Sequence, residues 1–384
     1  MMTVSTGEIL VYLAGGRWDG VAGTDRQMAT ALAGSVPVLW VDPPVPFMDV
    51  ARGRLKRSDP SVIGFDKVAS NICRLRVPGP PGLTRALMRS IAGANLSRRV
   101  RQVVRASGSD VGAVVVATPQ SRFPRGVSGR RVYYVTDNWA AGAAMMGLSQ
   151  RRIERLSSMN LGDADVVVAV TPDLMQLLVA QSIDSSAIPL MLPNGCVPMP
   201  VDGSDSPPDD VPTEPFAIVV GQINERLNLT LLGAVADRGI PLVVVGPRTE
   251  RDPSMTDELD RLFSRSSVHW LGPRSADKLP RYLQSASVGL TPYVDNAFNR
   301  SSFPLKTLEY LAAGLPVVSS DLPAVRWLDT DFIAVAGSAA EFADRVAESI
   351  AASAVRNGTE AGLRREFAGM HSWQTRAELL LASL

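Results

Sequence analysis

The sequence has little of what ties a small secreted fold together or supports thiol or metal chemistry. Only Cys73 and Cys196 occur in 384 residues, so a disulfide framework is excluded and a reducing, cytoplasmic setting is expected. Neither cysteine has a base partner in sequence, and nucleophilic thiol catalysis is unsupported. The two histidines, His269 in a strand-like run and His371 in a turn before the last helix, do not pair at metal-ligand spacing. No metal site is expected. The longest apolar runs, such as Val114 to Ala117 and Val166 to Val170, are strand-sized and far short of the roughly 20 residues that cross a bilayer. The opening MMTVSTGEILVYLAGG has no basic stretch followed by a long apolar segment, so it reads as a first strand and not as a leader. Lysine is scarce, 4 residues against 35 arginines, and no RNP or zinc-finger pattern accompanies that bias. A nucleic-acid partner is not expected.

What is present is ample core material and a divided charge. Hydrophobic residues make up 46% and charged residues 20% of a chain long enough for two or three domains. Residues 1–200 carry a net +8 and residues 201–384 a net -7, so the first half is the one suited to anions or an anionic membrane surface. Between them, PMPVDGSDSPPDDVPTEP (Pro198 to Pro215) holds six prolines and five acidic residues. Such a stretch neither continues a helix nor pairs as a central strand. It is expected to be a linker over 198–215 between domains at 1–197 and 216–384.

On both sides the same grammar repeats: a short β-branched run, a glycine or proline turn, then ten or more residues of amphipathic pattern. Strands are expected at Glu8 to Leu13, Pro37 to Val41, Ile72 to Val77, Ala113 to Thr118, Arg131 to Thr136, Val166 to Thr171 and Pro189 to Leu192. After the linker they follow at Phe216 to Val220, Leu242 to Val245, Val268 to Leu271, Val288 to Thr291, Pro316 to Ser319 and Ile333 to Val335. Fully apolar strands alternating with helices predict two doubly wound α/β domains with parallel sheets. Ligands in such sheets bind beyond the carboxyl ends of the strands, which places a cleft where two such domains face each other.

The densest motif is SSFPLKTLEYLAAGLPVVSSDLP, Ser301 to Pro323. Ser301 or Ser302 is suited to cap its helix, with Pro304 in the first turn. A helix N-terminus at the mouth of a sheet attracts phosphate, and Lys306 adds a point charge there. Glu309 can accept hydrogen bonds from a pair of sugar hydroxyls, or it forms an ordinary i,i+3 surface pair with Lys306. In the first half, VYYVTDNW sets Asp137 just past a buried strand, as a proton acceptor or as a helix cap. LAGGRWDGVAGTDRQ, Leu13 to Gln27, begins the first strand-to-helix loop, where Gly15, Gly16 and Asp19 can line an acceptor pocket. It is not G-x-G-x-x-G, which argues against nicotinamide binding. Leu83 to Ala106 carries six arginines around an apolar stripe, which suits either an anionic lipid surface or an ordinary helix with a solvated basic face.

The order of these motifs resembles the GT-B glycosyltransferases, especially glycosyltransferase family 4 and the related capsule, teichuronic-acid and xanthan glucuronosyltransferase types. FPLKTLEYLAAGLPVVSSDLP resembles their donor-site signature. ADVVVAVTPDLMQLL with LPNGC resembles the end of their N-terminal domain, FAIVVGQINERLN their phosphate loop, and HSWQTRAELLLASL the closing helix (about 360–384) that crosses back to the first domain.

The resemblance implies that a C-terminal domain binds a nucleotide diphosphate-sugar and an N-terminal domain binds a glycan or lipid-linked acceptor. The implied activity is a metal-independent hexosyl transfer in cell-surface polysaccharide or glycolipid synthesis, with no cofactor beyond the nucleotide-sugar, and with peripheral docking on the inner face of the cytoplasmic membrane. Glu309 matches the second glutamate of the family's pair, and Ser301 stands where the first is expected. Lys306 matches a Pro-Leu-Lys variant that faces the phosphates. Gly221 keeps the close turn of the phosphate loop, Gln222 and Leu227 replace its usual cations, and Arg226 remains to join Lys306 in stabilising the leaving diphosphate. Asp137 matches the aspartate region of the xanthan-type relatives. Two other readings remain: a nucleotide-sugar 2-epimerase of the same fold, and a non-catalytic nucleotide-sugar-binding subunit.

Overall fold

In the computed structural model, residues 7–20, 22–46, 64–82, 85–181, 186–199, 206–354 and 358–384 are described. The chain divides into two units, Met1–Pro193 with Trp373–Leu384, and Asn194–Ser372. The first boundary therefore falls after Pro193 and not at 197. Residues 200–205 of the expected linker lie outside the described residues. The remainder is more than a spacer: the Asp210 carboxylate accepts hydrogen bonds from Arg274 Nη2 at 2.7 Å and from the Tyr282 hydroxyl at 3.0 Å, so the acidic end of that stretch packs on the second unit.

The first unit holds strands β1 (Glu8–Leu13), β2 (Val38–Val41), β3 (Val45–Pro46), β4 (Gly64–Ala69), β5 (Ile72–Arg76), β6 (Pro78–Gly79), β7 (Asp110–Val116), β8 (Arg130–Val135), β9 (Val166–Ala169) and β10 (Ile188–Met191). Eight of them form one sheet in the order β10-β9-β8-β7-β1-β2-β5-β4, and β3 pairs with β6. Every neighbour in the large sheet is parallel except β4 with β5. Central runs such as VVVA of β9 are buried throughout, as strands covered on both faces must be. Edge strand β4, GFDKVA, alternates in exposure, and its lack of an apolar run hides it from the sequence pattern.

Helices α1 (Thr24–Leu32), α2 (Ala86–Ser107), α3 (Gln150–Asp163) and α4 (Pro172–Gln181) complete the alternation. Because β2 lies on one side of β1 and β7 on the other, the strand order reverses at β1. The gap there opens at the carboxyl ends of β1 and β7, where doubly wound sheets take ligands.

The second unit has one parallel sheet of β11 (Ala217–Val220), β12 (Leu242–Val245), β13 (Val268–Gly272), β14 (Val288–Thr291), β15 (Val317–Ser320) and β16 (Ile333–Ala336), in the order β13-β12-β11-β14-β15-β16. Its reversal lies between β11 and β14. Helices α5 (Leu229–Asp237), α6 (Pro253–Phe263), α7 (Leu279–Ser285), α8 (Ala297–Ser301), α9 (Leu305–Ala312), α10 (Pro323–Trp327), α11 (Ala339–Ala354) and α12 (Gly358–Met370) connect and flank the strands. Local chemistry sets their starts: Asn228 accepts from the amides of Thr230 and Leu231 at α5, and Asp252 caps α6 with Pro253 in its first turn. Leu232 and Val235 of α5 meet Leu242, Val244, Phe342 and Val346 in one buried cluster. Among the described residues no helix is long and apolar enough to cross a membrane.

The closing stretch expected as a helix over about 360–384 is two helices, parted at the turn expected around His371. It breaks at His371 and Ser372, where Cys196 donates its amide to the His371 carbonyl at 3.0 Å and pairs with Ser372 as an isolated bridge. That pairing takes the backbone out of helical register. The second piece, α13 (Trp373–Ala382), belongs to the first unit and packs on α1.

Candidate functional sites at the carboxyl edges of the two sheets

In the second unit, close approaches shape the carboxyl edge of the sheet on both sides of β11. Gly221 ends β11 with φ 147° and Gly246 ends β12 with φ 153°. A Cβ at Gly246 would lie 1.7 Å from the Gly221 carbonyl oxygen, so only glycine lets the two neighbouring strand ends lie this close. Deeper in, a Cβ at Gly289 of β14 would meet the Tyr310 ring at 2.4 Å. The missing side chain lets α9 lie against the sheet. There the buried Tyr310 hydroxyl accepts the Val220 amide at 2.8 Å, which ties α9 to the strand end that opens the phosphate-type loop. At its other end α9 is held by Arg364 Nη1 and Arg365 Nη1, which donate to the carbonyls of Gly314 and Ala313 and complement the negative pole of the helix.

On this platform Lys306 leans over Gly221, its Cε 4.0 Å from the place a Cβ would occupy there. Its ammonium pairs with Glu309 Oε2 at 2.5 Å, both side chains about one quarter exposed. The structure thus brings Gly221, Lys306 and Glu309 together, and joins the last two as the i,i+3 pair that was one of the two readings of this motif. The α9 N-terminus has Pro304 before it and no side-chain cap, which leaves its first amides for an anion.

Ser301 and Ser302 do not cap α9. Both are buried, and their hydroxyls donate back to the carbonyls of Ala297 and Phe298 in the first turn of α8. Pro304 intervenes, stands at the cap position itself, and separates them from the α9 amides.

Arg226 sits apart from that trio. Its Nε donates to Asn299 Oδ1 at 3.0 Å, and its guanidinium lies 5.1 Å from the Tyr293 ring centre and 5.0 Å from that of Phe298. Asn299 returns the contact by donating to the Arg226 and Val294 carbonyls. Among the described residues no hydrogen bond joins Arg226 to Lys306, and its two terminal nitrogens have no hydrogen-bond partner. Asn299 and Tyr310 were not legible as site residues, because their roles depend on which loops cross and not on local pattern.

In the first unit, the loop after β1 is held by a buried network. Arg74 donates to Asp42 from Nε at 2.9 Å and Nη2 at 2.6 Å, while Trp40 Nε1 and the Trp18 amide donate to the other Asp42 oxygen. Asp19 receives Arg74 Nη2 at 2.7 Å, and this contact holds its carboxyl below the usual range despite partial burial. Asp19 is therefore an exposed anchor of its loop. Gly15 lies at the reversal point, its amide donating to Asp25 Oδ2 at 2.6 Å; the Gly16 amide also bonds that carboxylate. Asp137 follows β8, accepting from Thr136 Oγ1 at 3.1 Å.

Asp25, in the first turn of α1, is the residue the sequence reading passed over within Leu13 to Gln27. Burial pushes its carboxyl up to about 6 against the lowering effect of the Gly15, Tyr12 and Gly16 hydrogen bonds, and the charge of Asp137 adds to the rise. The Tyr12 hydroxyl donates to Asp25 Oδ1 at 3.4 Å. The structure thus gathers Gly15, Gly16, Asp25 and Asp137 at one edge and leaves Asp19 in the adjoining ion network. The only advance signal for Asp25 was a Thr-Asp pair at a helix start, which reads equally as a cap. Among the described residues no cluster of three or more His, Cys, Asp or Glu side chains is arranged to hold a metal ion.

Comparison with known proteins adds independent findings. Residues 218–352 match the family described as Glycosyl transferases group 1, so the second unit carries a domain of that family. A stretch of 116 residues, 30% of this chain, is 30% identical to the putative teichuronic acid biosynthesis glycosyltransferase TuaH of Bacillus subtilis (strain 168), and covers 28% of that protein's length. The match thus spans little more than a quarter of the relative. Among solved structures, sucrose-phosphate synthase (tll1590) from Thermosynechococcus elongatus is similar over 97% of each chain at 15% identity and a TM-score of 0.71. The E. coli trehalose-6-phosphate structure bound with UDP-2-fluoro glucose is similar over 98% of each chain at 13% identity and a TM-score of 0.72. At such identities the likeness is one of fold, and that fold is GT-B.

Proposed function

We propose that this chain, whose second unit carries a Glycosyl transferases group 1 domain, transfers a sugar from a nucleotide diphosphate donor to a hydroxyl of a glycan or lipid-linked acceptor. The observation that carries the reading is the trio at the β11 reversal point: an uncapped helix N-terminus, Lys306 over Gly221, and Glu309 one turn along. In this reading the donor separates the Lys306–Glu309 pair. The diphosphate takes the ammonium and the α9 amides, and the ribose hydroxyls take the carboxylate. Arg226, held by Asn299 and close to the Tyr293 and Phe298 rings, offers its two unbonded nitrogens to the same leaving group. Preorganised cations of this kind act on charge that grows as the sugar–phosphate bond breaks, and no cofactor beyond the nucleotide-sugar enters the scheme.

The first unit supplies the acceptor side. In this reading the Gly15–Gly16 edge receives the acceptor, and Asp137 takes the proton of its attacking hydroxyl. Cell-surface polymer synthesis is the setting suggested by the TuaH likeness. A membrane-bound acceptor is supported by α2, where Leu87 and Ile91 are 66% and 47% exposed and, two to three turns along, Arg98 and Arg99 are exposed as well. Arg152 of α3 lies near Arg89 of α2. Its Nε is buried with no hydrogen-bond partner among the described residues, and burial together with the nearby Arg89 charge lowers its proton affinity. Such a site gains from an anion. We read this surface as one that docks reversibly on anionic lipid.

The test is a panel of nucleotide diphosphate-sugars with the purified chain, followed by calorimetry for binding and by release of nucleoside diphosphate for turnover. Binding with turnover on a glycan or lipid-linked acceptor is expected. Binding without any turnover would identify a nucleotide-sugar-binding subunit instead.

A further inference from the structure

The first strand-to-helix loop of a doubly wound unit commonly holds phosphate, because glycine amides and the positive pole of the following helix converge on one spot. In the first unit that spot is filled by the chain itself. Helix α1 starts at Thr24 after Gly23 with no side-chain cap, and Asp25 stands in its first turn. The Asp25 carboxylate accepts the Gly15 amide at 2.6 Å and the Gly16 amide as well, and the Tyr12 hydroxyl reaches its other oxygen at 3.4 Å. A buried carboxylate thus answers both the glycine turn and the helix pole.

The rest of the loop is closed in the same way. The Ala14 amide donates to the Val41 carbonyl at 3.2 Å, the Trp18 amide to Asp42 Oδ1 at 3.1 Å and the Gly20 amide to the Arg17 carbonyl at 3.0 Å. Its cations are engaged too: Arg74 with Asp42 and Asp19, and Arg26 with the carbonyls of Trp18 and Gly20, while Arg17 acts on Asp19. What the turn has left to offer is carbonyl oxygen. In a trans peptide the carbonyl points opposite to the amide hydrogen of the same plane, and none of the described peptides is cis, so the Gly15 carbonyl faces away from Asp25. Gly16 is exposed, and nothing lies within 4 Å of the place its Cβ would take. A ligand has room there against bare backbone, and that backbone accepts hydrogen bonds where a phosphate would need donors.

We propose that Asp25 takes the place of a bound anion at the Gly15–Gly16 turn, and that the turn therefore receives an uncharged, hydroxyl-bearing sugar ring of the acceptor and rejects a phosphorylated one. This rests on the acceptor reading of the first unit given above. Sugar hydroxyls donate to the outward carbonyl, whereas a phosphate meets the Asp25 charge and finds both glycine amides already used. Asp25 touches the turn and not the sugar, and is a positioning residue that sets which acceptors fit.

The experiment follows the Gly15 and Gly16 amide resonances of the glycine-labelled full chain by NMR, during titration with methyl hexosides, with hexose monophosphates and with inorganic phosphate. Neutral hexosides are expected to shift Gly16, and neither phosphate probe is expected to shift either glycine. A shift of either glycine by a phosphate probe, or silence toward every neutral hexoside, overturns the proposal. Gly16→Ala sets a methyl group in the open space, at a backbone position outside the left-handed region. It is expected to weaken hexoside binding about tenfold or more, with nucleoside diphosphate affinity unchanged; unchanged hexoside binding overturns the placement. Asp25→Ala removes the built-in anion and is expected to make the same two amides respond to inorganic phosphate. A folded Asp25→Ala chain that stays indifferent to phosphate overturns the proposal, and if that variant does not fold, the full-chain and Gly16→Ala titrations decide it. Each readout is one of binding, so absence of turnover with every nucleotide-sugar counts against the transferase reading alone.

Discussion

The two units place their candidate sites at the same topological point and fill them with opposite chemistry. In the second unit the end of β11 meets Lys306 and an uncapped helix N-terminus, with Arg226 apart from them; in the first the end of β1 meets Asp25, and Asp137 follows β8 two strands away. These local charges run against the averages, since residues 1–200 are net +8 and residues 201–384 net -7. The difference teaches that half-chain charge describes the solvated faces, where arginines such as Arg98 and Arg99 lie. The charge at a reversal point is set by a handful of side chains that the fold delivers there.

The contrast breaks most sharply at Asp137. Asp137→Asn is expected to lower transfer by about 100- to 10,000-fold, the range of a general base, while nucleotide affinity measured by calorimetry stays at the wild-type value. Comparable loss of both would mean that the two sites are not chemically separate.

On the cationic side, Lys306→Ala is expected to reduce kcat by about 100- to 1,000-fold, and Glu309→Ala to weaken donor binding by about 1.5–3 kcal/mol. Steady-state kinetics and calorimetry separate the two. If removing either merely costs the 0.2–0.5 kcal/mol or so of a surface pair, as thermal melts would register, the trio is ordinary helix surface.

A third change sharpens how the cationic site is held. Tyr310→Phe strands the Val220 amide in a buried place, and an unpaired buried donor costs about 1–3 kcal/mol. Chemical denaturation of the second unit's transition measures it, and a loss below that range would show that water replaces the phenol.

The carboxylate side makes the opposite prediction for stability. Asp25 has its carboxyl raised to about 6 in the folded chain, so the folded state binds its proton more tightly than the unfolded state does. That contribution is complete below about pH 4 and is lost as pH rises through about 6. Asp25→Asn is therefore expected to be more stable than the parent by about 1–3 kcal/mol at pH 8 and to show no such gain at pH 4. Melting curves at the two pH values check it, and a gain equal at both would assign the effect to packing.

The smallest effect concerns the solvated basic face. Sedimentation with anionic vesicles is expected at low salt and to be lost as salt rises, with Arg98→Ala and Arg99→Ala each weakening it by about 1 kcal/mol. Binding indifferent to lipid charge would leave α2 as plain surface.

Much of this was legible because its cause is local. Fully apolar runs such as LVVV of β12 have no stable place but a parallel sheet covered on both faces, and the alternation of such runs with amphipathic stretches announces two doubly wound units. The Lys306 and Glu309 pairing is set by helical spacing alone. Where a partner was remote in sequence, local reading failed. The polar edge strand β4 has no apolar run, and the last helix breaks only because Cys196 pairs with Ser372 across the second unit. Ser301 and Ser302 look like caps until α8 uses their hydroxyls and Pro304 takes the position.

The sequence by itself determined the fold class, the pattern that divides the chain and the helix that carries Lys306 and Glu309, because periodicity and short-range spacing are properties of neighbouring residues. Only the tertiary structure decided that Asp25 and not Asp19 is the buried carboxylate at the end of β1, since the Gly15 amide holds Asp25 there and Arg74 claims Asp19. Burial then raises one carboxyl and leaves the other low. Desolvation and like-charge repulsion depend on distance in space, which no spacing along the chain records.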